Sequence, residues 1–239
     1  MKNVKITTIL LIAVCLMLGM VACSGKDKAN DNKDDNSKHI DGVTICYQIK
    51  ESNPSDDDVS LTLEKLGNRA VAIYRVSGVE VYSEDDQIFI VIPEDTKDYD
   101  LNEISRIFGL QGTLIVLDEE NYDKWQSGKE YETVLTGDDI DTANTCVDNS
   151  DYGTSFNVSI TLNDEGTSRF ADYTSNHIDE KTYIIFNNEV ICEPIIVTEI
   201  YNGCVEITGF DTLDEAEGVA VALDSGELPL ELSLKYIKQ

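Results

Sequence analysis

The segment Asp211 to Leu232, DTLDEAEGVAVALDSGELPLEL, constrains the fold more than any other stretch of the chain. It places a helix start, an amphipathic helix, a stop and a strand in a short space. Thr212 and Glu215 have the spacing of a capping box, in which each side chain satisfies backbone N–H groups that the first turn leaves unpaired. Ala216, Val219, Ala220 and Leu223 follow at helical spacing and give one face of small apolar side chains. Gly226 is placed to end the helix, and Pro229 cannot continue it. Leu230, Leu232 and Leu234 then alternate with Glu231 and Ser233, which predicts a closing β-strand. Such an element ties two layers together, so earlier residues must supply the rest of the sheet.

At the other end, Lys2 and Lys5 precede an apolar run from Ile6 to Val21 that closes on Met20-Val21-Ala22-Cys23. A charged start, an apolar middle and small residues before a cleavage point describe a secretory signal peptide. Cysteine directly after Val-Ala resembles the lipobox of bacterial lipoproteins, although Met20 stands where leucine is usual. Residues 1–22 therefore read as a lipoprotein signal peptide and Cys23 as the acylated residue, which places the protein lipid-anchored at the extracytoplasmic face of a cell membrane. The competing reading is a retained membrane anchor, because the run approaches spanning length. Residues 23–41 carry almost no apolar side chain, cannot offset chain entropy by burial, and predict a flexible tether. Their Asp and Asn cluster is no calcium loop: Lys33 takes a ligand position, and the central glycine and terminal glutamate are missing. Acidic residues outnumber basic ones 46 to 18, for a net charge of −28. That charge repels phosphate backbones and argues against a nucleic-acid partner.

From Gly42 the pattern changes. Val43, Ile45, Tyr47 and Ile49 alternate with polar residues as in a half-buried strand. Asn53-Pro54-Ser55 before Asp56, Asp57 and Asp58 favours a helix start, with acids at the positive end of the helix dipole. Val59, Leu63, Leu66, Ala70 and Ile73 extend the helix to Tyr74. Val79 to Tyr82 and Gln87 to Ile92 read as strands around an acidic turn. Asp100 with Glu103 caps a helix whose inner face is Leu101, Ile104, Ile107 and Phe108, broken by Gly109 and Gly112. Thr113 to Leu117 is a further strand, so the order is β-α-β-β-α-β, a ferredoxin-like split βαβ unit.

Several motifs carry a resemblance. Leu66-Gly67-Asn68-Arg69, Val76-Ser77-Gly78-Val79 and Ile90-Val91-Ile92-Pro93 precede a helix that stops before Gly109. Val134-Leu135-Thr136-Gly137-Asp138-Asp139-Ile140 follows. Beyond it, the strand Val158 to Leu162 leads into Asn163-Asp164-Glu165-Gly166, with Phe170 and Thr174 after it. Asn163 is a good N-cap, and Phe170 docks a short helix that exposes Arg169 and Asp172. Tyr183 to Phe186, the turn Asn187-Asn188 and Val190 to Ile196, with Cys192 within it, come next. Asn202-Gly203 offers a tight turn into Cys204 to Thr208. Ala220 to Pro229 closes the series. Together these segments resemble the first extracytoplasmic domain of the SecD/SecDF protein-export family over residues 42–239. The resemblance implies an α+β fold: a ferredoxin-like split βαβ base in residues 42–120, completed by 228–239, with an α+β head inserted at 121–227. Gly226 and Pro229 would be the hinge between head and base, with Leu230 to Tyr236 as the last base strand. Relatives of this kind are polytopic and use intramembrane acids for proton-driven translocation. The sequence after Val21 holds no further apolar run of spanning length, so that pathway is not expected here.

No C-x-x-C pair, H-E-x-x-H, phosphate-binding glycine loop or G-x-S-x-G occurs, so no catalytic residue, metal ligand set or cofactor is predicted. His177 reads as a residue at a helix end, and the acid runs Asp56 to Asp58 and Asp138 to Asp141 read as solvated caps. Tyr122 and Trp125 read as packing residues where base passes into head. Cys15 leaves with the leader and Cys23 is the lipid site. Cys46, Cys146, Cys192 and Cys204 remain, either as disulfides in one of three pairings or as small buried thiols. A direct Cys192–Cys204 ladder pair is disfavoured by register if Asn202-Gly203 is a two-residue turn. The function expected from the resemblance is a non-enzymatic module that holds unfolded or emerging exported polypeptide, or contacts the translocation machinery. The alternative is a structural or ligand-binding surface lipoprotein that reuses the fold with no role in secretion.

Overall fold

The structure, a computed structural model, describes residues 40–74, 78–93, 100–150 and 153–238. The signal peptide, Cys23, most of the tether and Val76-Ser77 lie outside them.

The first sheet is made by β1 (Gly42–Ile49), β2 (Glu80–Glu84), β3 (Gln87–Pro93) and β11 (Leu232–Lys238), in the order β11-β1-β3-β2. All neighbours are antiparallel. β1 and β2 therefore run parallel with β3 between them, and β3 and β11 run parallel with β1 between them. Two helices cover one face. In α1 (Asp56–Tyr74) the Ser55 hydroxyl accepts from the Asp58 amide at 3.0 Å, which starts the helix at the acids, ahead of the first apolar residue. In α2 (Leu101–Gly109) the Asp100 carboxylate accepts from the amides of Asn102 and Glu103. Ile45, Tyr47, Leu63, Leu66, Ile88, Ile90, Ile104 and Phe108 form the core between sheet and helices, joined by Leu228, Leu230 and Leu232 from the end of the chain.

The second core lies between two further sheets. One has the order β5-β4-β8-β9 and the other β10-β7-β6. Their strands are β4 (Leu114–Asp118), β5 (Leu135–Thr136), β6 (Ile140–Ser150), β7 (Gly153–Leu162), β8 (Thr182–Phe186), β9 (Glu189–Cys192) and β10 (Cys204–Phe210). Between them run α3 (Glu119–Gln126), α4 (Asp164–Asn176) and α5 (Leu213–Ser225).

Four differences from the sequence expectations have local causes. The strand at Thr113 to Leu117 does not complete the first sheet. Gly112, at φ +87°, turns the chain away, its N–H donates to the Asn187 side chain at 2.8 Å, and β4 pairs with β8 instead. β11 takes the vacant fourth place. It begins at Leu232 because Leu228 and Leu230 are already turned into the first core. The segment after Cys192 forms no hairpin with Cys204 to Thr208: β9 pairs only with β8, and β10 with β7. β6 and α3 were not expected. β6 is rich in Asp, Asn and Thr and is held by its long ladder with β7, while α3 is capped by Asp118.

α5 belongs to the second core and also meets the two helices that cover the first. The Thr212 hydroxyl accepts from the Glu215 amide at 3.2 Å, but the Glu215 carboxylate reaches back to the amide of Asp211, one residue beyond a capping box. Ala216, Val219, Ala220 and Leu223 are buried as their spacing predicts. Gly218, Val221 and Ala222 are buried as well, because the helix rests on β6 and β7 on one side and meets α1 and α2 on the other.

Candidate functional site

The opening between the two sheets of the second core is an apolar cavity of about 300 Å³. Leu114 and Val116 of β4, Leu135 of β5 and Ile184 of β8 form one wall. Ile160 and Leu162 of β7 with Val205 and Ile207 of β10 form the other, and α4 contributes Phe170 and Thr174. These positions face one another because period-two alternation turns every second strand residue to the same side.

The roof is the strap between β9 and β10. Thr182 N–H donates to Pro194 C=O at 2.9 Å, Asp179 N–H to Ile196 C=O at 2.8 Å, and Ile196 N–H to Glu180 C=O at 3.0 Å. At its far end Ile200 N–H donates to the Thr174 hydroxyl at 2.9 Å. This tethering turns Ile196 inward, only 7% exposed, and leaves its neighbours Ile195 and Val197 55% and 82% exposed at the mouth. Tyr201, 75% exposed, extends the same strap. Large apolar side chains held in water beside an apolar cavity mark a surface suited to an apolar partner. The polar lining is sparse: Thr136, Thr174, Thr182, Thr198 and Glu206, whose carboxylate accepts from the Asn157 amide at 3.0 Å.

Of the other residues singled out by sequence, Cys204 lies in the cavity lining, and those that follow lie apart from it or hold structure. His177 Nδ1 is 2.7 Å from Tyr173 C=O, and its ring stacks on Tyr173 at 4.3 Å. Tyr122 stacks on Tyr183 at 3.7 Å, and Trp125 on Tyr122 at 5.7 Å. Asp139 is no solvated cap: it is 4% exposed, accepts from the Thr136 amide at 2.8 Å and pairs with Arg169 at 3.0 Å. The four cysteines among the described residues are free thiols. Cys46 is buried, its Sγ 3.3 Å from Gln87 Oε1, and burial pushes its pKa up. The buried-thiol expectation fails for Cys146 and Cys204, which are exposed on β6 and at the start of β10. Cys192 is half-buried. Among the described residues no group of three or more His, Cys, Asp or Glu side chains could hold a metal ion. No helix among them is long and apolar enough to cross a membrane.

Comparison with known proteins gives this architecture a context. Residues 115–230 match the family described as SecDF, P1 head subdomain, and all of the cavity lining but Leu114 falls inside that match. The protein translocase subunit SecD of Dictyoglomus turgidum is 29% identical over 194 residues, covering 80% of this chain and 44% of that protein. SecD of Petrotoga mobilis is 34% identical over 102 residues, covering 43% of this chain and 21% of that protein. The chain thus spans less than half the length of these relatives. A solved structure of SecDF, described as a membrane component that enhances protein export, superposes with a TM-score of 0.63 at 21% identity. That match covers 82% of this chain and 99% of the other, and shows a shared fold. From the first sheet through the second core, this chain resembles the extracytoplasmic domain of the SecD/SecDF protein-export family, and residues 115–230 match its head subdomain.

Proposed function

We propose that this protein is a non-enzymatic extracytoplasmic module that holds unfolded or emerging polypeptide for the export machinery, anchored to the membrane by a lipid on Cys23. The observation that supports the reading is the mouth of the head cavity, where Ile195 and Val197 stand in water beside an apolar cleft. A cavity of about 300 Å³ has room for a few side chains and not for a folded domain. An extended chain suits it, because alternate side chains enter the cleft while the backbone pairs with a sheet edge such as β9.

Covering a large aliphatic side chain contributes about 1.5–3 kcal/mol, and about 1.4 kcal/mol is tenfold in affinity. The double variant Ile195→Asp, Val197→Asp is therefore expected to weaken binding of a fluorescent, unfolded secretory polypeptide at least tenfold. Its melting curve should stay in place, since both side chains are exposed. Unchanged affinity would remove the cleft from the reading. A photocrosslinker at Val197 that never captures emerging chains or the translocon would instead favour a surface lipoprotein unconnected with export. For the anchor, Cys23→Ser is expected to abolish incorporation of labelled fatty acid and release the protein from membranes; label retained in that variant rules the anchor out.

A further inference from the structure

Arg69 of α1 carries a fully buried guanidinium, 0% exposed, where base and head meet. Its Nη1 donates to the carbonyls of Phe108 at 3.0 Å, Ile107 at 3.3 Å and Leu110. Its Nε donates to Ser225 Oγ at 2.9 Å, and its Nη2 to Gly226 C=O at 3.4 Å. The first three acceptors end α2 and open the crossing from base to head. The last two end α5 and open the crossing back. No carboxylate is among these partners. The charge is met by two helix C-termini, one from each half, whose unpaired carbonyls form the negative ends of the helix dipoles.

Burial lowers the Arg69 pKa to about 10, because desolvation disfavours the charged form, yet the group stays protonated at neutral pH. A planar guanidinium fixes its donors relative to one another, so the carbonyls it holds are fixed relative to one another too. The crossings also pair directly: Leu228 N–H donates to Gln111 C=O at 2.8 Å, and the Gln111 side-chain amide donates to Leu228 C=O. Lys65 Nζ adds a contact to Ser225 C=O at 3.2 Å.

We propose that Arg69 is a positioning residue that pins the head to the base, holding the cleft in one orientation and keeping the hinge at Gly226 and Pro229 closed. Lysine at this position keeps the charge but lacks the rigid fork whose spaced donors fix both crossings relative to each other. The inference is independent of what the cleft binds.

The test measures orientation directly. Ketone-bearing residues for spin labelling replace Val71 on α1 and Val147 on β6, both exposed, in the full-length chain. The parent is expected to give one narrow distance, and Arg69→Lys and Arg69→Met to broaden the distribution at least twofold with far-UV circular dichroism unchanged. If Arg69→Met does not fold, Arg69→Lys decides. A narrow, unshifted distance in folded Arg69→Lys overturns the proposal, because a role confined to stability lowers the melting point without moving the head.

Discussion

Replacing Phe108 with alanine is expected to destabilise the protein by about 3–5 kcal/mol, and Trp125, in the other half of the molecule, is expected to register the loss. Phe108 is 0% exposed at the end of α2, within the base core, so truncation leaves a cavity that a close-packed interior fills poorly. The effect should not stop at the base. α5 buries its small face in the second core, with Ala216 and Ala222 each 0% exposed, while its other side meets α1 and α2, and a base that opens withdraws that side of its support. Trp125 is the single tryptophan of the chain and stacks on Tyr122 above β8, so its fluorescence reports the head. In urea titrations, circular dichroism and Trp125 fluorescence should shift to the same lower midpoint. Fluorescence that keeps its parental midpoint would mean that the cores unfold independently and that α5 does not couple them.

Gly112→Val should cost nearly as much. Gly112 sits at φ +87°, where a β-branched residue is strained by about 1–3 kcal/mol. A Cβ there would also lie 3.1 Å from Ala222 C=O and 3.1 Å from Arg69 Nη2, and neither can yield without uncovering a buried carbonyl or charge. A drop in Tm of roughly 5–10 °C is expected, at about 2–4 °C per kcal/mol for a chain of this size. Gly128→Val provides the comparison: Gly128 has φ +64° with nothing within 4 Å of its would-be Cβ, so only strain acts there. Equal losses at the two sites would dismiss crowding at the junction.

What the sequence makes legible is what local chemistry decides. Ser55, Asp100, Asn163 and Thr212 each announce a helix start because a cap is satisfied within three residues. The turn at Asn187-Asn188 is readable for the same reason, with both residues at positive φ. Pairing partners are not local. Leu114 to Leu117 is plainly a strand, but nothing in those residues says that Phe186 faces Leu114. β6 has a polar composition that hides a strand held by its ladder with β7 and by α5 resting on it. The cleft escapes for a similar reason, since its walls come from residues 114 to 207 and its roof from a strap with no periodicity. One signal was present and unused. Arg69 falls on the apolar stripe of α1 with Leu66 and Ala70, where a cation requires a buried set of acceptors.

The place of β11 bears on how the molecule comes into being. Ile49 pairs with Leu232, so the base sheet joins β1 to β11, with every residue of the head between them. A polypeptide emerging from its N-terminus can complete both head sheets while β1 still shows an open edge, and contacts of such sequence separation form late. Until residues 232–238 arrive, the unfinished base presents the ladder groups and apolar face that an extended guest strand would recognise. The nascent protein thus passes through a stage in which it is itself the kind of client it is proposed to hold, and the pairing of β11 ends that stage.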